Sequence, residues 1–364
     1  MKITKIVVTG GPCAGKSTAM NRVQSAFEKM GYRTLFISET ATELITGGVS
    51  PQSCGSNADY QLCQMELQLE KERIYEQAAR TMDATKVLIV CDRGVIDNKA
   101  YMTQEEFETV LKKIGMNETE LRDRYDGVFH LVTAAKGAED FYTTSNNAAR
   151  RETIEEAVDI DNRLISAWTG HPHLRVIDNH TGFEEKMKML ISEIAFFLGE
   201  PEPLEIERKY LIEYPDLDWL EHHPYCRKVE ITQTYFKTDS GEEIRLRQRG
   251  LSGSYVYYQT IKRKISDIRR IEIETKLTRA EFLEKMMNTK GAKKRISKTR
   301  YCLMYEGQYF EIDVFPFWND QAFMEIELRS EDQKIQFPPE LKIIREVSSD
   351  PAFTNSSLAK PIED

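Results

Sequence analysis

The sequence lacks long apolar runs and paired cysteines, and both absences limit what the protein can be. No run of about 18 apolar residues occurs, so no transmembrane helix is expected. The six cysteines are scattered without CxxC spacing, which argues against a zinc site or a disulfide framework and is typical of a reducing cytosol. Strand-like residues begin at the N-terminus, so no signal peptide is expected. We therefore expect a cytoplasmic protein.

Basic residues are also fewer than acidic ones. The chain has 50 Lys and Arg against 59 Asp and Glu, a net charge of −9. Nucleic-acid affinity depends on neutralising phosphates, so a nucleic-acid partner is not expected. A composition of 40% hydrophobic and 30% charged residues is typical of a soluble globular protein. At 364 residues the chain is too long for one ordinary core, and two domains are expected.

Residues 10–18, GGPCAGKST, match the P-loop pattern GxxxxGK[ST] between a strand-like and a helix-like segment. The N–H groups of such a loop surround a phosphate chain, and the helix N-terminus adds positive charge. Lys16 is expected to reach the β- and γ-phosphates, and the Ser17 hydroxyl to ligate Mg²⁺. The loop residues predicted to bind nucleotide are Gly10, Gly11, Pro12, Cys13, Ala14, Gly15, Lys16, Ser17 and Thr18.

Strand-like runs alternate with helical patterns through the first half, which predicts a parallel α/β sheet with ligands at the carboxyl ends of its strands. Asp92 ends one such run and is followed by Arg93. A carboxylate there can hold Mg²⁺ or accept a proton from an acceptor hydroxyl. Glu39 ends a neighbouring run and is a second candidate base. For each acid the alternative is a solvated strand end or a helix cap. The predicted strands cover residues 33–38, 87–92, 127–132 and 174–178.

A polar stretch over residues 136–151 ends in Arg150 and Arg151. A mobile lid of this kind could place guanidinium groups on a transferring phosphate. The alternative is an ordinary basic helix start.

Four motifs of this half, VVTGGPCAGKST, SETATEL, CDRG and AARRETIEEA, resemble ribosylnicotinamide kinase-like and AAA-type P-loop domains. The resemblance covers residues 1–198 and is closer still to proteins in which this domain is fused to a CYTH domain. It implies ATP or GTP binding with Mg²⁺, and Arg93 joins the nucleotide-binding set. The residues it implies for catalysis in this half are Lys16, Glu39, Asp92, Arg150 and Arg151.

The segment 199–203, GEPEP, breaks helical continuity and predicts a stiff connector between domains 1–199 and 204–364. Beyond it, strand-like segments follow in series with one helix, over 278–288. The fold class therefore changes from parallel α/β to antiparallel β.

Charges in the second half alternate along the predicted strands, so like charges share one face. Carboxylates alternate in 205–207, 272–274 and 325–327, and cations in 245–249, 262–264 and 298–300. These faces are either the solvated outside of a sandwich or the interior of a closed barrel. Whole strands of one sign favour an interior in which carboxylates hold metal and cations hold polyphosphate. Oxygen ligands without His or Cys indicate Mg²⁺ or Mn²⁺ rather than zinc.

This half resembles the CYTH, or triphosphate tunnel metalloenzyme, family through the ExExK row of Glu205, Glu207 and Lys209. The motifs RLR, TIK, RRIEIE, KTR, EIDVF, EIEL and DPAFTNSSLA follow in order. The resemblance implies an eight-stranded tunnel that binds triphosphate with a divalent metal and often hydrolyses it, with Glu205 and Glu207 in catalysis. The implied metal ligands are Glu205, Glu207, Glu272, Glu274, Asp313, Glu325 and Glu327. The implied phosphate-binding residues are Lys209, Arg245, Arg247, Lys262, Lys264, Arg270, Lys298 and Arg300.

Three functions remain open. The leading hypothesis is an ATP/GTP-binding protein whose second domain binds and hydrolyses a triphosphate-containing or organic phosphate substrate. The main alternative is a non-catalytic nucleotide switch that binds a phosphorylated ligand or an anionic lipid head group, as the link of animal relatives to GTP and phosphatidic acid implies. A third is a nucleoside or cofactor kinase in the first domain.

Overall fold

The computed structural model describes residues 1–138, 153–180, 182–200, 206–237, 243–264, 270–288, 294–328, 333–348 and 350–361. The chain divides into two units, Met1–Leu204 and Glu205–Asp364. Within the described ranges, no helix combines the length and the apolar character that crossing a bilayer requires.

The first unit is built on a parallel five-stranded sheet of order β2-β3-β1-β4-β5. The two central strands have apolar cores with no exposure, including Ile6 to Val8 and Val87 to Cys91. Such runs are typical of strands covered on both faces, and the predicted α/β class is confirmed. The strands are β1 (Lys2–Gly10), β2 (Arg33–Ile37), β3 (Lys86–Asp92), β4 (Gly127–Leu131) and β5 (Leu174–Ile177).

Helices surround this sheet, and a short 3₁₀ helix, Val95–Tyr101, follows β3. The helices are α1 (Lys16–Lys29), α2 (Thr40–Thr46), α3 (Asn57–Arg80), α4 (Gln104–Ile114), α5 (Glu118–Arg122), α6 (Ile154–Trp168) and α7 (Phe183–Leu198). Because β1 and β3 run in parallel, the end of β3 lies beside the P-loop: Val8 is the register partner of Asp92.

The second unit is an antiparallel sheet of order β10-β9-β8-β7-β11-β12-β13-β6-β14, with β15 paired to β11. Eight long strands, β6 to β13, match the predicted number, and β14 and β15 are short additions. The strands are β6 (Ile206–Glu213), β7 (Cys226–Lys237), β8 (Glu243–Leu251), β9 (Ser254–Lys264), β10 (Arg270–Leu277), β11 (Lys294–Tyr305), β12 (Gln308–Val314), β13 (Gln321–Leu328), β14 (Ile343–Glu346) and β15 (Lys360–Pro361).

The prediction of one helix in this half was wrong. The described ranges hold three, α8 (Leu217–His222), α9 (Arg279–Asn288) and α10 (Asn355–Leu358), as well as a 3₁₀ helix at Pro351–Phe353. Only α9 was predicted, and its Thr278 cap accepts the Glu281 N–H at 3.2 Å. The other two are too short to show helical periodicity in the sequence.

The two faces of the sheet divide the side chains by polarity. Apolar residues of one face, among them Tyr301, Phe310 and Ile312, form a buried core. The charged residues lie on the other face, yet Lys298, Asp313 and Glu325 are buried as well. Part of the charged face is therefore buried inside the unit, whereas Glu207 and Glu327 of the same rows are exposed.

Candidate functional site

The P-loop joins β1 to α1 through a backbone that needs glycine. Gly10 and Gly15 have φ of 149° and 89°, and Cys13 adopts a left-handed φ of 57°. A Cβ on Gly10 would lie 2.1 Å from the carbonyl oxygen of Leu131, and one on Gly15 would lie 2.6 Å from the Phe183 ring. Any larger side chain at these two positions would force the loop apart.

The Lys16 side chain folds back onto this loop. Its ammonium donates hydrogen bonds to the carbonyl oxygens of Gly10 and Gly11 at 2.9 and 3.2 Å. Burial, with the Arg93 charge adding to it, lowers the pKa of Lys16 to about 8. Ser17 and Thr18 follow at the start of α1 and are exposed. A cation and free hydroxyls thus meet at a helix N-terminus, which is an arrangement that suits a phosphate chain.

Asp92 presents an unpartnered oxygen beside the loop. Its Oδ1 is buried and has no hydrogen-bond partner. Burial raises the pKa of Asp92, while the charges of Lys16 and Arg93 oppose the rise. A buried carboxylate oxygen without a partner is costly, and a hard cation such as Mg²⁺ fits it.

Glu39 is held by Arg93, not left free to act as a base. The Arg93 Nε donates to Glu39 Oε1 at 2.5 Å, and the Thr42 hydroxyl donates to Oε2 at 2.6 Å. Burial alone would raise the pKa of Glu39, but the charges of Arg93 and Lys16 lower it to about 2. So acidic a group accepts protons poorly at neutral pH, which leaves Asp92 as the better-suited base.

Two further carboxylates at the loop carry no signal in the sequence. Asp97, in the 3₁₀ helix, accepts hydrogen bonds from the Thr9 hydroxyl at 2.7 Å and from the Trp168 indole at 2.5 Å. Asp161, on α6, accepts the Gly11 N–H at 3.0 Å. Both are buried. Neither belongs to a spacing pattern, because the fold alone brings them to the loop.

Several buried polar atoms of α3 and of the residues at and after the end of β3 have no hydrogen-bond partner within the described part of the chain, although Arg93 Nη1 lies 3.9 Å from Asp97 Oδ2. Tyr60 lies at the start of α3 and interacts electrostatically with Glu39, and Asn98 follows β3 by one turn. Unpaired buried polar groups are rare in folded proteins and mark places where a ligand or water completes the bonding. The atoms are Tyr60 Oη, Gln61 Oε1, Asp92 Oδ1, Arg93 Nη1 and Asn98 Oδ1.

In the second unit, Arg300 is the centre of a buried ionic cluster. Its Nε and Nη2 donate to the two oxygens of Asp313 at 2.7 Å each, and Nη2 also reaches Glu325 at 2.7 Å. Lys298 pairs with Asp313, and Lys209 Nζ lies 2.7 Å from Glu325 Oε1. Three cations therefore converge on two carboxylates contributed by neighbouring strands.

The charges in this cluster shift one another's pKa values. Burial would raise the pKa of Glu325, but Lys298, Lys209 and Arg300 lower it. Burial and the Arg300 charge lower the pKa of Lys298. At the exposed end of the row, the Glu325 charge, with burial adding to it, raises the pKa of Glu207 to about 7. Glu207 is thus a carboxylate held near another negative charge, as a metal ligand would be.

Arg245 and Arg247 form a second positive group on β8. Their guanidinium nitrogens lie 3.5 and 3.6 Å from Glu274 Oε2, and Arg245 also donates to the Thr260 hydroxyl at 3.0 Å. Burial and the Arg245 charge lower the pKa of Arg247. The Nε of Arg247 is buried without a hydrogen-bond partner. A crowded cation with an unused donor is suited to an anionic ligand.

The remaining predicted residues are less informative. Glu327 is the register partner of Glu207 and is exposed. The backbone register pairs Lys262 with Glu272, and Lys264 with Arg270, between β9 and β10. Arg150, Arg151 and Glu205 lie outside the described residues.

Two residues outside the predicted site set share the charged face. Glu311 contacts Arg300, and its register partners are Cys302 and Glu325. Arg249 is buried two positions beyond Arg247. Both belong to alternating rows that are visible in the sequence, but neither was assigned a role in the predicted site.

The donor set suits a divalent ion, although no complete metal site is assembled. Among the described residues, no group of three or more His, Cys, Asp or Glu side chains is placed to hold a metal. The candidate ligands Glu207, Glu325 and Glu327 supply oxygen atoms only, which is the chemistry of Mg²⁺ and Mn²⁺, although both oxygens of Glu325 are paired with Lys209 and Arg300.

An apolar cluster closes one end of the charged face. Leu211, Phe323 and Tyr235 form it together with Phe353 and Leu358 from the C-terminal helices. The Phe353 and Phe323 rings lie 5.9 Å apart, and Asn355 Oδ1 lies 3.4 Å from Lys298 Nζ. The C-terminal segment therefore packs directly against the site.

Comparisons with known proteins match both halves. A model described as an AAA domain matches residues 5–186, and one described as a CYTH domain matches residues 203–346. The inorganic triphosphatase of Nitrosomonas europaea is 33% identical over 162 residues, 43% of this chain and 98% of that protein. The inorganic triphosphatase of Acetivibrio thermocellus is 30% identical over 157 residues, 43% of this chain and 93% of that protein. A solved inorganic triphosphatase structure is 32% identical with a TM-score of 0.30, covering 44% of this chain and 100% of that one.

Proposed function

The chain belongs to the CYTH family and carries an AAA domain ahead of its CYTH domain, and on that premise we propose that residues 204–364 hydrolyse a triphosphate. The observation that carries the proposal is the half-buried Arg247 beside Arg245, whose buried Nε has no hydrogen-bond partner among the described residues. Two such cations in a low-dielectric interior attract a multiply charged anion strongly. Both curated relatives are named inorganic triphosphatases, which supports the same substrate class.

The residues divide into two roles. Lys209, Arg245, Arg247, Lys298 and Arg300 would hold phosphate oxygens and stabilise the charge that develops on the terminal phosphoryl group. Glu207, Glu325 and Glu327, with Glu205, would hold Mg²⁺ or Mn²⁺. The metal, when bound, supplies charge neutralisation. Water attacks the terminal phosphorus and the bond to the bridging oxygen breaks, so that pyrophosphate is the leaving group, orthophosphate is the second product, and the two products carry the protons of the water.

We further propose that residues 1–199 bind ATP or GTP at the P-loop with Mg²⁺. Lys16 would contact the β- and γ-phosphates, and Ser17 and Asp92 would hold the ion. The unpartnered Asp92 Oδ1, in a carboxylate that interacts electrostatically with Lys16, supports this proposal.

The direct test is phosphate release from tripolyphosphate by the full chain. We expect hydrolysis with Mg²⁺ or Mn²⁺, none in EDTA, and a fall of about 100-fold in Glu325→Gln. The matched control is Glu346→Gln, which alters an exposed carboxylate on β14 and should leave the rate unchanged. Equal rates for Glu325→Gln and the wild type would refute the proposal. No turnover together with saturable binding to anionic vesicles would favour the non-catalytic alternative.

A second activity is supported by the unpartnered atoms at the end of β3. The buried Oδ1 atoms of Asp92 and Asn98 have no hydrogen-bond partner among the described residues, and an acceptor hydroxyl could donate to them. In this reaction the γ-phosphoryl group moves from ATP to the acceptor hydroxyl, ADP leaves, and Asp92 takes the hydroxyl proton.

Incubation with labelled ATP and a panel of nucleosides tests this second activity. A labelled product that is lost in Asp92→Asn, while nucleotide binding persists, would support it. The absence of labelled product across the panel would count against it.

A further inference from the structure

Asp161 is a fully buried carboxylate on α6 whose two oxygens are occupied by four donors. Its Oδ1 accepts the backbone N–H groups of Gly11 at 3.0 Å and Thr133 at 3.1 Å, and lies 2.9 Å from His130 Nε2. Its Oδ2 accepts from Lys136 Nζ at 2.8 Å. One side chain thus ties α6, the segment after β4 and the first turn of the P-loop together.

The carboxylate at this position is charged. Burial by itself would raise the pKa of Asp161, but His130 and Lys136 outweigh that effect and lower it. An ionised carboxylate accepts a backbone N–H more strongly than a neutral group does. The bond to Gly11 is therefore a strong anchor for the loop.

A second tie acts at the next residue of the loop. The Thr133 hydroxyl donates to the carbonyl oxygen of Pro12 at 2.5 Å. Gly11 and Pro12 are thus both held from the segment that follows β4. Cys13, the residue after them, has a left-handed φ of 57°, a conformation that a non-glycine residue rarely adopts without support.

The close approach also explains a glycine that the P-loop pattern does not require. A Cβ on Gly11 would lie 2.8 Å from Asp161 Oδ1, 2.9 Å from Asp161 Cβ and 3.1 Å from Thr133 Cβ. Contacts that short exclude any side chain at position 11. Gly11 and Asp161 therefore form a matched pair, although 150 positions separate them.

We propose that Asp161 is a positioning residue that holds the P-loop in its phosphate-binding shape without touching the nucleotide. The proposal rests on nucleotide binding at this loop. Asp161 would thus affect nucleotide affinity without contacting the nucleotide, because both of its carboxylate oxygens already accept hydrogen bonds from other residues.

The test uses the full chain with Asp161→Asn, and with Asp123→Asn as the matched control. Asp123 is also buried and accepts from Arg122 at 2.7 Å, but it precedes β4, at the opposite end of the sheet from the loop. Two readouts are taken. One is the affinity for a fluorescent ATP analogue, and the other is the alkylation rate of Cys13, resolved by mass spectrometry against the exposed Cys63.

We expect Asp161→Asn to weaken analogue binding about tenfold and to speed Cys13 alkylation severalfold, with Cys63 unchanged. Asp123→Asn should change neither readout. If both variants changed analogue affinity and Cys13 alkylation equally, Asp161 would contribute only to the general stability of the fold, and the proposal would be wrong. An unchanged Cys13 alkylation rate in Asp161→Asn would also overturn it.

Two outcomes separate this proposal from the proposed function. Wild-type protein that binds no analogue, with faster Cys13 alkylation in Asp161→Asn, would refute nucleotide binding and still support the positioning role in the loop. If Asp161→Asn fails to fold, Thr133→Val replaces it, because it removes the tie to Pro12 without stranding a buried charge. A smaller rise in Cys13 alkylation is then expected, and no rise would overturn the proposal.

Discussion

At the scale of single residues, the pair of Glu39 and Arg93 makes stability depend on pH. The pKa of Glu39 is about 2 in the folded protein against an ordinary value of 4.5. Its contribution is therefore fully present above pH 4.5 and is lost as the pH falls toward 2. We expect Glu39→Gln to lower the free energy of unfolding by about 2 kcal/mol at pH 7 and by much less at pH 3. Urea unfolding of both proteins across this range measures the difference, and a gap independent of pH would contradict the assignment.

The contacts of Arg300 depend on the shape of its guanidinium group, which lysine lacks. Its guanidinium spans both oxygens of Asp313 and also reaches Glu325. A lysine carries one point charge and would leave a buried carboxylate oxygen unpaired. We expect Arg300→Lys to reduce tripolyphosphate hydrolysis at least about tenfold. Arg208→Lys, at an exposed pair with Glu346, is the control and should retain full activity. Full activity in Arg300→Lys would show that charge alone suffices.

At the scale of elements, strand periodicity explains why much of the second site was predictable. Alternation alone placed Lys298 and Arg300 on one face, and the register pairs Arg300 with Asp313 across β11 and β12. Alternation shows which side chains share a face of the sheet, but it does not show whether that face is buried. No sequence pattern predicted Asp161, because this helical residue lies 150 positions from Gly11 and the two meet only in the folded protein.

The C-terminal segment, residues 350–361, acts as a single packing unit at the apolar end of the charged face. Phe353 and Leu358 join the cluster of Phe323, and Asn355 touches Lys298. Removing residues 350–364 should expose Phe323 and lower the free energy of unfolding by about 2 kcal/mol or more. Removing only residues 362–364 is the control. Thermal unfolding and tripolyphosphate hydrolysis are both measured, and equal values for the two truncations would show that the segment is dispensable.

At the scale of the whole molecule, the proposed function requires two phosphate sites built on unrelated principles. The first uses backbone N–H groups of a loop and one lysine, and the second uses side chains from at least five strands of one sheet. Backbone recognition depends on loop shape, whereas side-chain recognition depends on charges held at fixed spacing. Both sites were predicted from the sequence, because a glycine loop and a strand repeat each leave a local pattern.

Because each proposed site would bind its own phosphates, a variant in one site should leave the other unaffected. We expect Lys16→Ala to abolish binding of a fluorescent ATP analogue while tripolyphosphate hydrolysis stays within about twofold of the wild type. Glu325→Gln should give the opposite result. In the double variant the two effects should combine with an interaction energy below about 0.5 kcal/mol, since each proposed site is built from side chains of its own unit. Loss of tripolyphosphate hydrolysis through Lys16→Ala alone would instead place the chemistry at the P-loop and leave the charged face of the second unit as a binding surface.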